Sequence, residues 1–270
     1  MVGTEIIEHS AITVVSALFN GIGVTLGINL PARISIKAGT GRIINNENEG
    51  LELVKTIIKR EGLDQESFDI EINSNIPSGI GLKSSSAITL AILRALRHHK
   101  GSNKTIMETI IDSCIISKEL GISYTGSMDD AMACHFGGLN FVNNQRFELI
   151  DRFSISKNKV YINIPSHKKS KVEFNEFKRQ EFLGNVALKY AFDLNLKKAA
   201  FENSRAISNI YGYDFSLIET LLTYNRVKVA GFSGTGPAFY AVIDSPEDEN
   251  LDEINSFFKN EGNYILTELR

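Results

Sequence analysis

The residues best suited to chemistry lie in a glycine- and serine-bearing segment from Pro77 to Ala87, which reads Pro-Ser-Gly-Ile-Gly-Leu-Lys-Ser-Ser-Ser-Ala. The preceding residues, Phe68 to Asn73, alternate apolar and polar side chains, as a half-buried strand does. The following residues, Ala87 to Leu96, are rich in Ala, Ile and Leu without Gly or Pro. They predict a buried helix, so the segment is a loop that feeds directly into a helix.

Such a loop is suited to binding an anion. Glycines let a backbone come close to a ligand, and serine hydroxyls in a first helical turn lie beside unpaired N–H groups. A helix N-terminus also carries about half a positive charge, which favours a phosphate. The alternative is purely structural: Ser84 to Ser86 act as helix caps, and the glycines form a turn.

Two further segments stand out. Tyr124 to Ala131 reads Tyr-Thr-Gly-Ser-Met-Asp-Asp-Ala and is closed by Phe-Gly-Gly at 136–138. Adjacent aspartates after such a turn are most often a helix N-cap and a first-turn acid. Gly231 to Pro237 reads Gly-Phe-Ser-Gly-Thr-Gly-Pro between two strand-like stretches. It is not the dinucleotide-binding fingerprint, because its glycines join strand to strand rather than opening a helix. Taken alone, the segment could be a glycine-rich hairpin without a chemical function.

Together these segments resemble the motifs of the GHMP small-molecule kinases, which include galactokinase, homoserine kinase, mevalonate kinase and phosphomevalonate kinase. The first has the pattern Pro-x-x-x-Gly-Leu-x-Ser-Ser of that family's phosphate loop, although Lys83 replaces the usual Gly and Ser86 the usual Ala. The Walker sequence Gly-Lys-Ser/Thr is absent. The triple serine, the Asp-Asp-Ala and the Ser-Gly-Thr-Gly-Pro most resemble the archaeal shikimate kinases. The motifs follow the family's order and spacing, so the resemblance covers nearly the whole chain.

The resemblance implies an α+β GHMP kinase fold with two lobes. An N-terminal ATP-binding domain is expected over residues 1–150 and a C-terminal α+β domain over residues 151–270. The third motif is expected to fold back over the phosphate loop. The residues assigned to nucleotide binding are Pro77, Ser78, Gly79, Ile80, Gly81, Leu82, Lys83, Ser84, Ser85, Ser86, Ala87, Gly234, Thr235 and Gly236.

The resemblance also implies individual roles. Asp129 takes the position of the catalytic aspartate, and Asp130 either contacts the substrate or caps the helix. Ser85 corresponds to a magnesium-ligating serine. Glu119, ten residues before Asp129, is a candidate second ligand, or else a solvent-facing glutamate on a helix. Asn20, in a motif with Gly at the seventh following position, is a candidate substrate-binding residue.

The activity implied is transfer of the γ-phosphoryl group of ATP, with Mg²⁺, to a hydroxyl of shikimate, giving shikimate 3-phosphate and ADP. The alternatives are a GHMP kinase acting on mevalonate-type, homoserine or pantoate-type alcohols, and a GHMP-fold ligand sensor without turnover. Homoserine kinases lack the catalytic aspartate, so Asp129 weighs against that alternative. Candidates for binding the shikimate carboxylate are Arg33, Lys83 and Arg152, which the sequence does not rank.

The composition is that of an ordinary globular enzyme, with 43% hydrophobic and 23% charged residues among 270. A net charge of -3 argues against nucleic acid or an anionic membrane as the main partner. No apolar run reaches about 18 residues, and Ala11 to Phe19 is preceded by Glu5 and Glu8 rather than by the positive charge of a signal peptide. We therefore expect a cytoplasmic protein, while its oligomeric state stays open.

Cys114 and Cys134 lie in apolar stretches without a Cys-x-x-Cys or Cys/His cluster. We therefore expect them to pack in the core, and no disulfide or zinc site is predicted.

The pattern also predicts the elements that position these segments. Strands are expected at Ser10–Phe19 and Pro31–Lys37, joined by a glycine-bearing crossing over Asn20–Gly27. Helices are expected at Gly50–Gly62 and Thr105–Leu120. After residue 138 the prediction is strands at 139–142, 147–152 and 159–164, helices within 172–211 and at 215–224, a hairpin over 227–244, a helix at 248–259 and a strand at 264–269. Lys168, Lys169 and Lys171 are expected to form a solvated basic loop.

Overall fold

The longest strand of the computed structural model, β2, forms the centre of the first sheet. The structure describes residues 3–45, 51–63, 68–166, 172–244 and 251–270. Within them the strands of this sheet are β1 (Thr4–Val15), β2 (Ile22–Ala38), β3 (Ile43–Asn45), β4 (Phe68–Ser74), β5 (Leu139–Asn143) and β6 (Glu148–Phe153). Strand β2 pairs antiparallel with β1 along most of its length, with β4 through its C-terminal part and with β5 through its N-terminal part. Strand β3 adds to β4 in parallel, and β6 adds to β5 at the opposite edge.

A second, antiparallel sheet has the order β10-β7-β9-β8. Its strands are β7 (Lys159–Ile164), β8 (Val227–Phe232), β9 (Phe239–Ile243) and β10 (Asn263–Glu268). The described helices are α1 (Leu51–Arg60), α2 (Ser84–His99), α3 (Ile106–Glu119), α4 (Met128–Phe136), α5 (Phe174–Arg179), α6 (Glu181–Phe192), α7 (Leu196–Tyr211), α8 (Ser216–Leu221) and α9 (Asp252–Asn260). Among these, no helix is long and apolar enough to cross a membrane.

The predicted glycine-bearing crossing over Asn20–Gly27 is wrong for residues 22–27, which belong to a strand. Strand β1 ends at Val15 and β2 begins at Ile22, so the connection is shorter and the two glycines at 23 and 27 lie inside a strand. A Cβ atom added at Gly23 would lie 2.0 Å from Oδ2 of Asp129, and one at Gly27 would lie 2.5 Å from the Cα atom of Gly137. These glycines therefore serve close approach between elements, a use of glycine that a strand tolerates.

The helices around the phosphate loop follow from local sequence. Helix α3 begins with a capping box, in which Thr105 accepts from the Glu108 N–H and the Glu108 side chain accepts from the Thr105 N–H. The predicted helix over Thr105–Leu120 is therefore confirmed. Helices α3 and α4 pack on β5 through a separate apolar cluster that includes Ile110, Met132 and Cys114. This packing holds the start of α4 beside the start of α2.

The apolar core is continuous between the two sheets. A single buried cluster includes residues of β1, β2 and α2 together with residues of α6, α7 and β7. Both cysteines are free and buried, as expected. The C-terminal residue returns to the first sheet: the Arg270 N–H donates to the carbonyl oxygen of Gly27, and the Gly138 N–H donates to that of Arg270.

The predicted domain boundary near residue 150 falls inside β6, which pairs with β5 in the first sheet. The strand pairing places the passage between the sheets after Phe153 and before Lys159. The division into two domains stays a prediction. Of the remaining elements, the short β3 was not predicted, and the lysine cluster at 168, 169 and 171 lies outside the described residues.

Candidate active site

The loop between β4 and α2 is held in place from two directions. The Ser10 hydroxyl on β1 donates to the carbonyl oxygen of Leu82 at 2.7 Å, and the Ser233 hydroxyl donates to that of Gly81 at 2.8 Å. A Cβ atom added at Gly81, where φ is 96°, would lie 2.0 Å from the Ser233 carbonyl oxygen. Glycine is therefore required here for both conformation and space.

The serines that follow do not act as caps. Helix α2 begins at Ser84, and its N-cap is Lys83, whose backbone is left-handed (φ 64°, ψ 21°) and whose side chain makes no capping hydrogen bond. The structural alternative for the triple serine is therefore wrong. Because no side chain caps the first turn, its N–H groups remain available to an anion.

The third glycine-rich segment folds back over this loop, as the family resemblance implied. The N–H of Ala238 donates to the carbonyl oxygen of Ile80 at 3.1 Å, in addition to the bond from Ser233. Tyr213 supports the segment from behind, since its hydroxyl donates to the carbonyl oxygen of Thr235 at 3.0 Å. The hairpin is thus part of the wall of the site rather than a free surface turn.

Asp129 lies in the first turn of α4, with 4% of its surface exposed. Its carboxylate oxygen Oδ1 accepts a hydrogen bond of 2.6 Å from Nδ2 of Asn144, and its backbone N–H donates to Oδ1 of Asn144 at 2.9 Å. Burial raises the pKa of the Asp129 carboxyl above its usual value, and the charge of Asp130 adds to this effect. The ammonium group of Lys83 and the bond from Asn144 lower the pKa and so oppose it.

Asp130 is not a helix cap. The N-cap of α4 is Ser127, which makes no capping hydrogen bond, and Oδ1 of Asp130 lies instead 3.1 Å from Nζ of Lys83. The side chains of this pair are 12% and 10% exposed, respectively. The structure therefore corrects the capping interpretation and joins the start of α4 to the start of α2 through an ion pair.

These groups surround one cavity of about 660 Å³. Its described lining residues are Thr13, Ser16, Ala17, Leu18, Pro77, Ser78, Gly79, Gly81, Leu82, Lys83, Ser84, Ser85, Ser86, Ser117, Gly121, Ile122, Ser123, Tyr124, Thr125, Ser127, Asp129, Asp130, Asn144, Val172, Phe177, Tyr211, Gly234 and Thr235. The cavity thus brings together most of the loop, both aspartates and part of the third segment. Lys83 is the lining residue with a positive charge among those that the structure describes.

Three residues assigned to nucleotide binding do not line the cavity. Ile80 and Ala87 are buried in the core, with 4% and 0% exposure. Gly236 packs against Tyr213, whose ring would lie 2.4 Å from an added Cβ atom. These residues shape the site from behind its surface.

Two other predicted site residues lie elsewhere. Glu119, at the end of α3, forms an ion pair with Arg60 of α1, and its side chain is 58% exposed. Asn20 donates from Nδ2 to Oδ1 of Asn185 at 2.9 Å and accepts from the N–H of Ile22, so it holds a turn. Neither lines the cavity, and their positions do not support a metal-binding role for Glu119 or a substrate-binding role for Asn20.

The structure also ranks the candidate cations. Arg33 pairs with Glu5 at 3.6 Å, with about half of each side chain exposed. Arg152 donates to the carbonyl oxygen of Phe136 and lies over its ring. Only Lys83 of the three candidates lines the cavity.

Sequence reasoning missed several polar lining residues, of which Asn144 and Thr13 have the most informative contacts. Asn144 follows β5 in a turn, and Thr125 accepts a hydrogen bond of 3.2 Å from its Nδ2. An asparagine in a turn is common, so nothing in the sequence near position 144 indicated a bond to Asp129. Thr13 was also missed; its buried hydroxyl oxygen has no hydrogen-bond partner among the described residues and lines the cavity.

Comparison with known proteins shows which family and which solved structures the chain is similar to. The profile described as "GHMP kinases N terminal domain" matches residues 51–138. The chain is 32% identical to a protein named shikimate kinase from Pyrococcus furiosus and 33% identical to one from Pyrococcus abyssi, with 97% of each chain covered in both cases. A similar solved structure is that of Methanococcus jannaschii mevalonate kinase, with a TM-score of 0.73, 14% identity, and coverage of 100% of this chain and 98% of that one. At that identity the similarity establishes the fold, which is the expected α+β GHMP kinase fold.

Proposed function

The chain belongs to the GHMP kinase family, and on that premise we propose that it transfers the γ-phosphoryl group of ATP to a hydroxyl of shikimate. The observation that carries the proposal is the single cavity in which an uncapped helix start faces a buried carboxylate. Phosphoryl transfer requires alignment and charge neutralisation more than covalent chemistry by the protein. The choice of shikimate is supported by the names of the two Pyrococcus relatives.

The lining fits a triphosphate. No side chain caps the amides of the first turn of α2. The loop before α2 can lie against Ser233 of the third segment because Gly81 has no side chain. The free hydroxyl of Thr13 offers a further polar contact. We assign the loop and the helix start to the phosphates, since anions bind where N–H groups and a helix dipole point at them.

Ser85 is proposed to hold magnesium. It lies in the first turn of α2, is exposed and lines the cavity. Among the residues described, no cluster of three or more His, Cys, Asp or Glu side chains could form a complete metal cage. This fits Mg²⁺, which usually takes one or two protein ligands together with substrate phosphates and water. When bound, ATP supplies the phosphoryl group and magnesium neutralises its charge.

Asp129 is proposed as the general base. Its raised pKa brings the carboxylate nearer the pH at which it must work, and its position lets it accept the proton of a substrate hydroxyl. Lys83 is proposed to neutralise charge on the phosphoryl group during transfer, since it stands at the start of α2 and lines the cavity.

The test is a coupled ADP-release assay of the purified protein with ATP and Mg²⁺ over a panel of alcohols. We expect shikimate to be phosphorylated far faster than homoserine, mevalonate or pantoate. A site built to bond several hydroxyls rejects compounds that lack them by about 10⁴–10⁵. If shikimate is inert while one of the other three alcohols is phosphorylated, the shikimate assignment fails and only the family assignment stands. If no alcohol is phosphorylated, the result favours a ligand sensor without turnover.

A further inference from the structure

Asn144 makes three hydrogen bonds with its side chain, and two of them are to Asp129. Its Oδ1 accepts from the N–H of Asp129 at 2.9 Å, and its Nδ2 donates to Oδ1 of Asp129 at 2.6 Å and to Oγ1 of Thr125 at 3.2 Å. Its backbone is fixed as well, since its N–H donates to the carbonyl oxygen of Gly21 at 2.8 Å. Asn144 is fully buried and lines the same cavity.

The first of these bonds determines which way the amide faces. A backbone N–H can only donate, so the Asn144 atom facing it must be the oxygen. The NH₂ group is then directed at the carboxylate of Asp129 and can only donate to it. Oδ1 of Asp129 must therefore act as an acceptor, which the ionised carboxylate does best.

The opposite side of the carboxylate is also restricted. A Cβ atom added at Gly23 would lie 2.0 Å from Oδ2 of Asp129, so the carboxylate lies directly against the β2 backbone. With Asn144 bonded to one oxygen and β2 against the other, the plane of the carboxylate has one orientation.

We propose that Asn144 is a positioning residue for the general base: it fixes the direction of the Asp129 carboxylate and favours its ionised form. This inference rests on the proposed function only in taking Asp129 as the base. The role is distinct from simple packing, because it requires the donor NH₂ group and not merely the volume of the side chain.

The role has an electrostatic reason. Apart from Asn144, the charged and titratable groups around Asp129 in the described residues are Asp130 beside it, Lys83 at the start of α2 and Cys114 on α3. Burial and the charge of Asp130 favour the protonated acid, whereas Lys83 opposes them. The pKa of the Cys114 thiol is raised by burial, so the thiol stays uncharged and adds no negative charge beside Asp129. Hydrogen bonds to the ionised form, from the side chain of Asn144 and from the backbone N–H of Asp130, act with Lys83 to keep the base available.

The experiment compares Asn144→Asp and Asn144→Ala with the wild type. Asn144→Asp keeps the acceptor for the Asp129 N–H and nearly the same volume, but replaces the donor with a negative oxygen. Asn143→Asp is the matched control: it makes the same change one residue earlier, where the side-chain oxygen accepts from the N–H groups of Gln145 and Arg146 outside the cavity. Two quantities are measured: the pH dependence of kcat, and the titration of Asp129 by ¹³C NMR of carboxyl-labelled aspartate, assigned with Asp129→Asn.

Loss of the donor in Asn144→Ala should raise the pH at which Asp129 titrates by about one pH unit or more, and the added negative charge of Asn144→Asp should raise it further. The acid limb of kcat should move upward with it, and kcat at neutral pH should fall at least about tenfold, with the KM for ATP little changed. Asn143→Asp should match the wild type. If Asp129 titrates alike in the wild type and in Asn144→Ala, the donor has no effect on the carboxylate and the inference is overturned. The NMR titration needs no substrate, so it decides this even if the protein proves inactive on shikimate.

Discussion

The ammonium nitrogen of Lys83 lies 3.1 Å from Oδ1 of Asp130, so the residue that precedes α2 is paired with a residue of the first turn of α4 inside the cavity. Lys83 stands where the family pattern has glycine, and it adopts the left-handed backbone that glycine would adopt without strain. A non-glycine residue in this conformation costs about 1–3 kcal/mol, which the contacts around it must offset. The pair therefore connects the phosphate-binding helix start with the neighbour of the proposed base.

Replacing Asp129 by Asn should remove most turnover and leave ATP binding nearly intact. An amide can still accept a hydrogen bond from the substrate hydroxyl, but it cannot take its proton, and general-base steps contribute about 10²–10⁴-fold. Measuring kcat and nucleotide affinity side by side checks this. Asp130→Asn should have the smaller effect, acting through the loss of the Lys83 pair; a larger loss in Asp130→Asn would exchange the roles of the two aspartates.

Local sequence predicted the loop and the helices beside it, because their determinants are neighbours along the chain. Glycines, serines and the apolar run from Ala87 to Leu96 lie within twenty residues, and the capping box of α3 spans four. Asn144 could not be predicted in this way. It reaches Asp129 from a turn fifteen residues later, and that turn is placed by strand pairing and by its bond to Gly21.

The errors have the same origin. Gly23 was assigned to a connection because glycine breaks strands, but its conformational cost is offset by a contact with Asp129, which the sequence does not reveal. Glu119 has a suitable spacing from Asp129, but the rotation of α3 about its axis turns the side chain towards Arg60. The number of residues between Glu119 and Asp129 limits how far apart they can lie, but the direction of the Glu119 side chain is set by how α3 packs.

Replacing Lys83 by Met should lower kcat more than about tenfold while leaving the KM for shikimate little changed, because methionine keeps the length of the side chain but removes the charge that stabilises the transferred phosphoryl group. Steady-state kinetics in both substrates provide the measurement. Arg33→Met is the control, since Arg33 lies outside the cavity in a half-exposed ion pair. A raised KM for shikimate at unchanged kcat would instead assign Lys83 to the substrate carboxylate.

Replacing Ser85 by Ala should keep the fold and raise the concentration of Mg²⁺ needed for half-maximal rate. Ser85 lines the cavity. It does not cap α2, because the N-cap is Lys83, so its replacement should leave the helix intact. Magnesium titrations of the rate test this, with Ser102→Ala, which lies outside the cavity, as the control. Identical magnesium curves for wild type and Ser85→Ala would remove the metal-binding assignment.

Replacing Glu119 by Gln should leave the magnesium dependence unchanged. Glu119 is more than half exposed and bonds to Arg60, so its loss removes a surface ion pair worth about 0–1 kcal/mol. The same titration used for Ser85 gives the result, and a thermal melt measures the stability change. A clear rise in the magnesium requirement would show that α3 moves to bring Glu119 into the site.

The raised pKa of Asp129 should make its contribution to the stability of the wild type decrease as pH rises, and Asp129→Asn should remove this contribution. Between the unfolded value of about 3.9 and the higher folded value, Asp129 binds more protons in the folded state than in the unfolded state, so its own contribution to the free energy of unfolding falls with increasing pH and levels off above the folded pKa. The fall is about 1.4 kcal/mol for each pH unit between the two pKa values. Urea denaturation from pH 4 to pH 8 should therefore show Asp129→Asn gaining on the wild type as pH increases. Asp151→Asn, on the exposed face of β6, should show no such gain. A constant difference between Asp129→Asn and wild type at every pH would mean that burial does not favour the protonated acid of Asp129 in the folded state.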